Sequence, residues 1–379
     1  MRATRRLHGD SPAATRKVIG LCRALRAAGV DAQIVSMGRG SVGRFGVFPP
    51  FTQSIDGIPM HVGPMVHLPL VSHLVSMLWL ARMAWSLADR RQQQVHLFYN
   101  QLTFYLVALV VLRLLRQRTA VDIEDGPVMS FALEGSLAKG RFGANVPPST
   151  FAKFISHGAL LANSALAGGT SLEPVMVYYG AIDPKAPRAL SQASTISILL
   201  SGTLETATGA ELLAEALRIV DRSPLAAKIS ITVTGAGSGE ANLRALRANL
   251  KDLQLQVLGL VDRDRYDAII GSSDVGLSLK LMNLSYSDTT FPSKTVEYAE
   301  NGLLLISTDI SDVRLVFGDT AWYLTANDPQ QLAGHILKAA EDSVAARVCG
   351  LRGQKLVNDQ FSFDKAGHRL RAFLFGDAD

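Results

Sequence analysis

Cysteine is scarce. The 379 residues hold two, Cys22 and Cys349, far apart and without a CxxC pair. That excludes a disulfide scaffold and a cysteine-ligated zinc site, and it predicts a reducing, cytoplasmic setting. Long apolar runs are also lacking. The richest stretch, Leu68 to Leu87, is broken by Pro69, His73 and Arg82, and the run from Phe104 to Leu115 contains Arg113. Both fall short of the roughly 20 apolar residues that a bilayer span requires. The opening MRATRRLHGDSPAATRK is basic but has no apolar segment, so it does not read as a signal peptide. Charged residues amount to only 19% against 48% hydrophobic, which excludes disorder and fibrous repeats. No Gly-x-Ser-x-Gly elbow, GxxxxGK[ST] phosphate loop or metalloprotease His/Glu spacing occurs.

What is present is divided in two. Residues 1–190 carry 20 Lys/Arg and 10 Asp/Glu, a balance of +10. The remainder therefore carries 38−20 = 18 and 33−10 = 23, a balance of −5. A basic half suits an anionic membrane surface or a phosphorylated substrate. Met77, Leu78, Trp79 and Trp85 beside Arg82, Arg90 and Arg91 are the residues that peripheral contact with such a membrane face would use, against a plain reading as core helix. The arginines are scattered and no nucleic-acid motif accompanies them, so nucleic acid is not an expected partner.

Apolar runs and amphipathic runs alternate along the whole chain. Ser11-Pro12 starts a helix whose Val18, Leu21, Leu25 and Ala28 repeat at helical spacing until Gly29 ends it. Strands are predicted at 32–37, 60–62, 95–99, 120–123, 160–162 and 175–179. A polar segment with two prolines, 184–194, reads as a linker. Beyond it, strands at 196–201, 229–235, 253–259, 275–280, 303–308 and 321–325 alternate with helices starting near Thr208, Gly239, Arg263, Ser293 and Pro329. This pattern predicts two Rossmann-like, doubly wound α/β domains, 1–183 and 195–360. Residues 361–379 read as a C-terminal helix placed to cross back to the first domain. The first domain opens without the buried strand that such a domain needs, which points to a lost first strand or to a start placed too late.

Ligands of open α/β sheets bind beyond the carboxyl ends of the strands. The loop from Ser201 to Glu205, with Gly202 and Thr203, leads to Thr208-Gly209 at a helix start. Gly235-Ala-Gly237-Ser-Gly239 follows the next strand, and glycines there let a ligand approach the backbone. Asp262-Arg-Asp264 superficially matches a metal-binding Asp-x-Asp, but a helix cap and first-turn acid explain the pair better, so no metal is expected. The most informative segment runs from Tyr286 to Gly302. In it Thr290 and the helix-start pair Pro292-Ser293 precede Lys294 and Glu297, an arrangement suited to a diphosphate, with a carboxylate one turn into the helix to accept hydrogen bonds from a sugar diol.

FPSKTVEYAENGLLLIS resembles the donor-site segment of the GT-B glycosyltransferases, specifically the retaining family-four, or group-one, enzymes. YYGAID (178–183) is similar to the run that closes their first domain, and GDSPAATRKVIGLCRALRAAGVDAQIVS (9–36) to their glycine-led first loop and helix. The resemblance covers nearly the whole chain and is specific in the second half. It implies the GT-B architecture, two Rossmann-like domains facing across a cleft. It also implies hexosyl transfer from a nucleotide-diphosphate sugar, with UDP the expected donor nucleotide, to a saccharide or lipid-linked acceptor of cell-surface polysaccharide or glycolipid synthesis. No metal or cofactor is implied.

Carried over by position, the donor would meet Gly202, Thr203, Thr208, Gly235, Gly237, Leu260, Thr290, Pro292, Ser293 and Glu297, the last at its ribose. Lys294 would act on the leaving diphosphate. Asp125, after the predicted strand 120–123, is the catalytic candidate of the first domain, with Gly9, Asp10 and Glu124 on the acceptor side. This chain departs from the family pattern at three positions. Thr203 and Thr208 stand where members carry an arginine and a lysine, and Thr289 where they carry a glutamate. Two alternatives therefore stay open: a non-catalytic relative that supports a partner enzyme, and a nucleotide-sugar epimerase.

Overall fold

A computed structural model describes residues 12–38, 45–89, 93–124, 148–191, 193–284 and 287–376. The chain forms two compact units: unit 1 is residues 1–181 with 361–379, and unit 2 is residues 182–360.

Unit 1 begins with helix α1 (Pro12–Ala27). Leu21, Ala24, Leu25 and Ala28 form its buried stripe, and Gly29, at φ 77°, turns the chain out of it. The strands that follow are β1 (Ile34–Ser36), β2 (Val47–Phe48), β3 (Phe51–Ile55), β4 (Ile58–Val62) and β5 (Met65–Val66). Helix α2 (Pro69–Leu87), β6 (Val95–Tyr99), α3 (Leu106–Leu114), β7 (Arg118–Ile123), the short α4 (Pro148–Ala152), β8 (Gly158–Leu161) and β9 (Val175–Val177) come next. The sequence pattern did not anticipate β2, β3 and β5. Yet the turn that folds β3 back on β4 is Asp56-Gly57, both at positive φ (54° and 78°), a two-residue hairpin signal.

The strands of unit 1 fall into separate sheets. One has the order β3-β4-β1, with β1 and β4 parallel; another is the parallel set β6-β7-β8-β9; β2 and β5 form an antiparallel pair. Alternation along β7 and β8 assigns two packed faces. Ala120 and Leu160 join the core with α1, whereas Val121, Ala159 and Leu161 pack with Leu109 of α3.

Unit 2 is regular. Its strands are β10 (Ile196–Thr203), β11 (Ile229–Ala236), β12 (Gln254–Gly259), β13 (Val275–Ser278), β14 (Leu304–Thr308) and β15 (Ala321–Leu324). They form one parallel sheet in the order β12-β11-β10-β13-β14-β15. The observed ends lie within three residues of those predicted. Between the strands run α5 (Ala210–Val220), α6 (Glu240–Arg247), α7 (Arg263–Ser272), α8 (Lys294–Glu300) and α9 (Val313–Phe317), followed by α10 (Pro329–Glu341) and α11 (Ser343–Phe361). Strand β10 is central, pairing β11 on one edge and β13 on the other, and Ile196, Ile198, Leu199 and Leu200 on it are all buried. This is the doubly wound order in which ligands meet the carboxyl ends of the strands.

Helix α12 (Phe363–Phe375) returns to unit 1 and packs along α1. The approach is close: a Cβ on Gly367 would lie 1.9 Å from the Ala24 carbonyl oxygen. Among the described residues no helix is long and apolar enough to cross a membrane.

Candidate functional site

At the carboxyl edge of the unit 2 sheet, β10 and β11 run in register to Gly202 and Gly235. A Cβ on Gly235 would lie 1.7 Å from the Gly202 carbonyl oxygen, and its φ of 128° disfavours any side chain, so glycine is required there. Loop geometry is fixed from within. The Thr208 hydroxyl donates to the carbonyls of Thr203 and Glu205 and accepts from the Glu205 amide, part of a capping box around the turn Thr206–Thr208. Gly209, at φ 83°, then leads into α5, two residues later than the sequence pattern places that start. The Glu205 carboxylate accepts from the hydroxyl and the amide of Ser238, and these bonds hold it below the usual carboxylate range. It thereby joins the glycine loops after β10 and β11. Thr203 itself is exposed.

Helix α8 supplies the charged groups. Lys294 Nζ lies 2.7 Å from a Glu297 carboxylate oxygen and 2.9 Å from the Tyr266 hydroxyl, and its Cε lies 4.0 Å from the point where Gly202 would carry a Cβ. Tyr266, on α7, also places its ring face 4.6 Å from Nζ. Its hydroxyl is 3.1 Å from Ser201 Oγ, which is 2.9 Å from the buried Tyr298 hydroxyl. Burial raises the Tyr298 phenol well above its ordinary value, so it stays a neutral hydrogen-bonding group. Thus Gly202, Lys294 and Glu297 come together. Ser201, which opens the first glycine loop, joins them, and Tyr266 and Tyr298 complete the cluster without having been singled out from sequence.

The remaining donor-side candidates border it. Pro292 accepts from the amide and hydroxyl of Thr295, Ser293 is exposed before α8, and Thr290 is buried with its hydroxyl accepting from Lys280 Nζ. Lys280 was also missed, although it stands two residues past β13 at a carboxyl end. Gly237 packs over Leu204, where a Cβ would lie 2.3 Å from the carbonyl oxygen. Leu260, after β12, is 79% exposed, an apolar surface at the sheet's carboxyl edge. Asp262 caps α7 by accepting from the Arg265 amide at 2.9 Å. Among the described residues no group of three His, Cys, Asp or Glu is placed to hold a metal ion.

In unit 1, Gly9, Asp10 and Asp125 lie outside the described residues. Glu124 is described: its amide donates to Asn100 Oδ1 at 3.0 Å, and its carboxylate pairs with Lys17 of α1. Lys17 Nζ also lies 3.0 Å from Asp122, which is buried. Burial raises the Asp122 carboxyl and Lys17 opposes that rise. Lys17 is thus shared by two carboxylates at the end of β7, a cation 105 residues from its partner in sequence.

The family described as glycosyl transferases group 1 matches residues 195–342. No curated protein matches the chain by sequence. Among solved structures, trehalose-6-phosphate synthase from E. coli, bound with UDP-2-fluoro glucose, is 14% identical with a TM-score of 0.66, over 97% of this chain and 98% of that one. Sucrose-phosphate synthase from Thermosynechococcus elongatus is 14% identical with a TM-score of 0.64, over 93% and 90%. HepE from Anabaena, in complex with UDP-glucose, is 14% identical with a TM-score of 0.62, over 84% and 86%.

Proposed function

Residues 195–342 belong to the group 1 glycosyl transferases, in a chain of GT-B fold, and from that premise we propose retaining transfer of a sugar from a UDP-sugar donor. The observation that carries this reading is the Lys294–Glu297–Tyr266 cluster over Gly202 at the carboxyl edge of the sheet. Solved relatives of the same fold hold UDP-2-fluoro glucose and UDP-glucose, which supports the choice of nucleotide.

In this reading Glu297 accepts hydrogen bonds from the ribose diol. The side-chain-free backbone of Gly202 admits the diphosphate beneath Lys294, and Gly235 lets the second glycine loop pack directly against the Gly202 carbonyl. As the bond between the anomeric carbon and the diphosphate oxygen breaks, negative charge grows on the leaving group. Lys294 and Lys280 are the cations placed to meet it, so the reaction proceeds without a metal. A hydroxyl of the acceptor forms the new bond to the anomeric carbon as the diphosphate oxygen departs, and its proton passes to that departing oxygen. Asp125 and Glu124 are the groups that position the acceptor. The basic balance of residues 1–190 favours a phosphorylated, lipid-linked or other saccharide acceptor, in cell-surface polysaccharide or glycolipid synthesis at an anionic membrane face.

One observation favours a second reading, a relative that binds a nucleotide sugar but supports a partner enzyme. The Thr208 hydroxyl is committed to its own turn and Thr203 offers no cation, so the loop after β10 gives the diphosphate no positive charge. An epimerase would convert the nucleotide sugar with no acceptor present.

Thermal unfolding with UDP, GDP, ADP or phosphate, each with and without EDTA, tests the site. Ligand at 100 times its Kd stabilises by about 2.7 kcal/mol, a midpoint shift of a few degrees. A shift specific to UDP, unchanged by EDTA and removed in Glu297→Ala, is expected. No shift with any nucleotide would overturn the donor site. A shift without sugar transfer to any acceptor, together with capture of a partner transferase, would favour the second reading.

A further inference from the structure

Thr203 and Thr208 bring no positive charge to the loop after β10, and the Thr208 hydroxyl is held by its own turn. The cation over Gly202 comes from another element, Lys294 at the start of α8. A lysine stem is flexible and its ammonium goes to the strongest acceptor within reach. Glu297 is such an acceptor, one turn further along the same helix and 2.7 Å from Nζ. Left to that pair alone, the two groups would satisfy each other: the carboxylate would be covered and the ammonium tied to its own helix.

Tyr266 opposes that collapse. Helix α7 places its hydroxyl 2.9 Å from Nζ and its ring centroid 4.6 Å away. An ammonium only donates, so the Tyr266 oxygen accepts, and its own hydrogen is available to Ser201 Oγ at 3.1 Å. Ser201 is buried on β10, one residue before Gly202. Its Oγ is 2.9 Å from the Tyr298 hydroxyl, which also accepts from the Ser201 amide at 3.0 Å. Tyr298 is fully buried, and its phenol stays protonated. A chain of hydroxyls thus runs from the core of unit 2 through β10 and α7 and ends on Lys294. Glu297 and Tyr266 take two of the three N–H donors of the ammonium, which leaves one for a ligand oxygen.

Resting on the donor-site reading above, we propose that Tyr266 is a positioning residue for Lys294. Its hydroxyl holds the ammonium between Glu297 and the glycine loop, so that one lysine serves where the loop after β10 brings no cation. Tyr266 acts on the diphosphate through Lys294 and makes no contact with the nucleoside. Because the hydroxyl chain fixes the ammonium before ligand arrives, the cost of ordering it does not fall on binding.

The test is calorimetric titration of the full chain with UDP and with uridine. Tyr266→Phe keeps the ring and its attraction for the ammonium and removes only the hydroxyl. Its Kd for UDP is expected to rise about tenfold, the worth of one charge-assisted hydrogen bond, and its Kd for uridine by less than about twofold. Unchanged uridine binding also reports that the variant is folded. In a Lys294→Met background the same substitution is expected to add nothing, because the group it positions is gone. Undiminished UDP binding in Tyr266→Phe, or equal losses for UDP and uridine, would overturn the positioning role. So would a further tenfold loss of UDP affinity in the Lys294→Met background, since Tyr266 would then touch the ligand itself. Failure of the wild-type chain to bind either compound would sink the donor-site reading and this role with it. UDP bound equally by wild type and Tyr266→Phe would sink this role alone.

Discussion

The two units share one winding plan but differ at the centre. In unit 2 the central strand β10 pairs on both edges over eight registered residues with β11 and three with β13, and its side chains are buried on both faces. In unit 1 the strands that would flank such a centre, β1 and β6, belong to different sheets and border a cavity. Among the described residues, helices therefore bind the halves of unit 1 where backbone ladders bind unit 2. A sheet interrupted at its centre loses the hydrogen bonds and the two-sided burial that make the central strand the most stable part of a doubly wound fold. The group that most needs fixed geometry, the Lys294 cluster, sits on the continuous sheet.

That contrast can be broken at six residues. The largest effect belongs to Gly235→Ala, whose Cβ would collide with the Gly202 carbonyl at an unfavourable φ. It should destabilise unit 2 by about 4 kcal/mol or more, read by hydrogen exchange of β10 and β11, with unit 1 unchanged. Next, Ile198→Ala on β10 should cost about 3 kcal/mol in urea unfolding, and Leu97→Ala on the half-buried β6 only about 1 kcal/mol. Equal losses would erase the distinction between the two centres.

A smaller effect separates two lysines. Lys294→Met should lower sugar transfer about a hundredfold, near 2.7 kcal/mol, with the melting temperature held. Lys17→Met should leave the UDP-induced shift intact and weaken unit 1 instead, because buried Asp122 loses its cation. A raised carboxyl gives stability that is full at low pH and lost as pH rises through the folded value, so that weakening should grow towards neutral pH. The smallest effect is His96. Burial lowers its folded value below 6.5, so the unfolded chain takes the proton first as pH falls, and unit 1 should lose on the order of 1 kcal/mol below pH 6.5. The His96→Asn variant should flatten that slope in melts recorded from pH 7.5 to 5.

Much of the fold is legible because period and punctuation agree. Pro12 and Gly29 bracket α1, and the apolar runs of unit 2 match the strands β10 to β15. The β3–β4 hairpin escaped because Phe51–Ile55 lies open to solvent and its run is only weakly apolar, although Asp56-Gly57 announces the turn. Lys294 and Glu297 were legible because they lie close together at a helix start, and Gly202 because it ends a predicted strand. Tyr266 stands 28 residues from Lys294 and 65 from Ser201, and Lys17 stands 107 residues from Glu124, so only folding brings them together. Thr208 shows the opposite situation. Its position suggested a ligand contact, but its hydroxyl is spent on its own turn, a local bond that residue type alone does not reveal.

The packing of α12 on α1 has a consequence for synthesis. Unit 2 is continuous in the chain and has all its strands once residue 324 has left the ribosome, whereas unit 1 waits for the helix at 363–375. The first-made half is thus the last to be completed. Until then its helix α1 exposes the apolar stripe around Ala24 that Gly367 will cover, a window in which chaperones and proteases compete with folding.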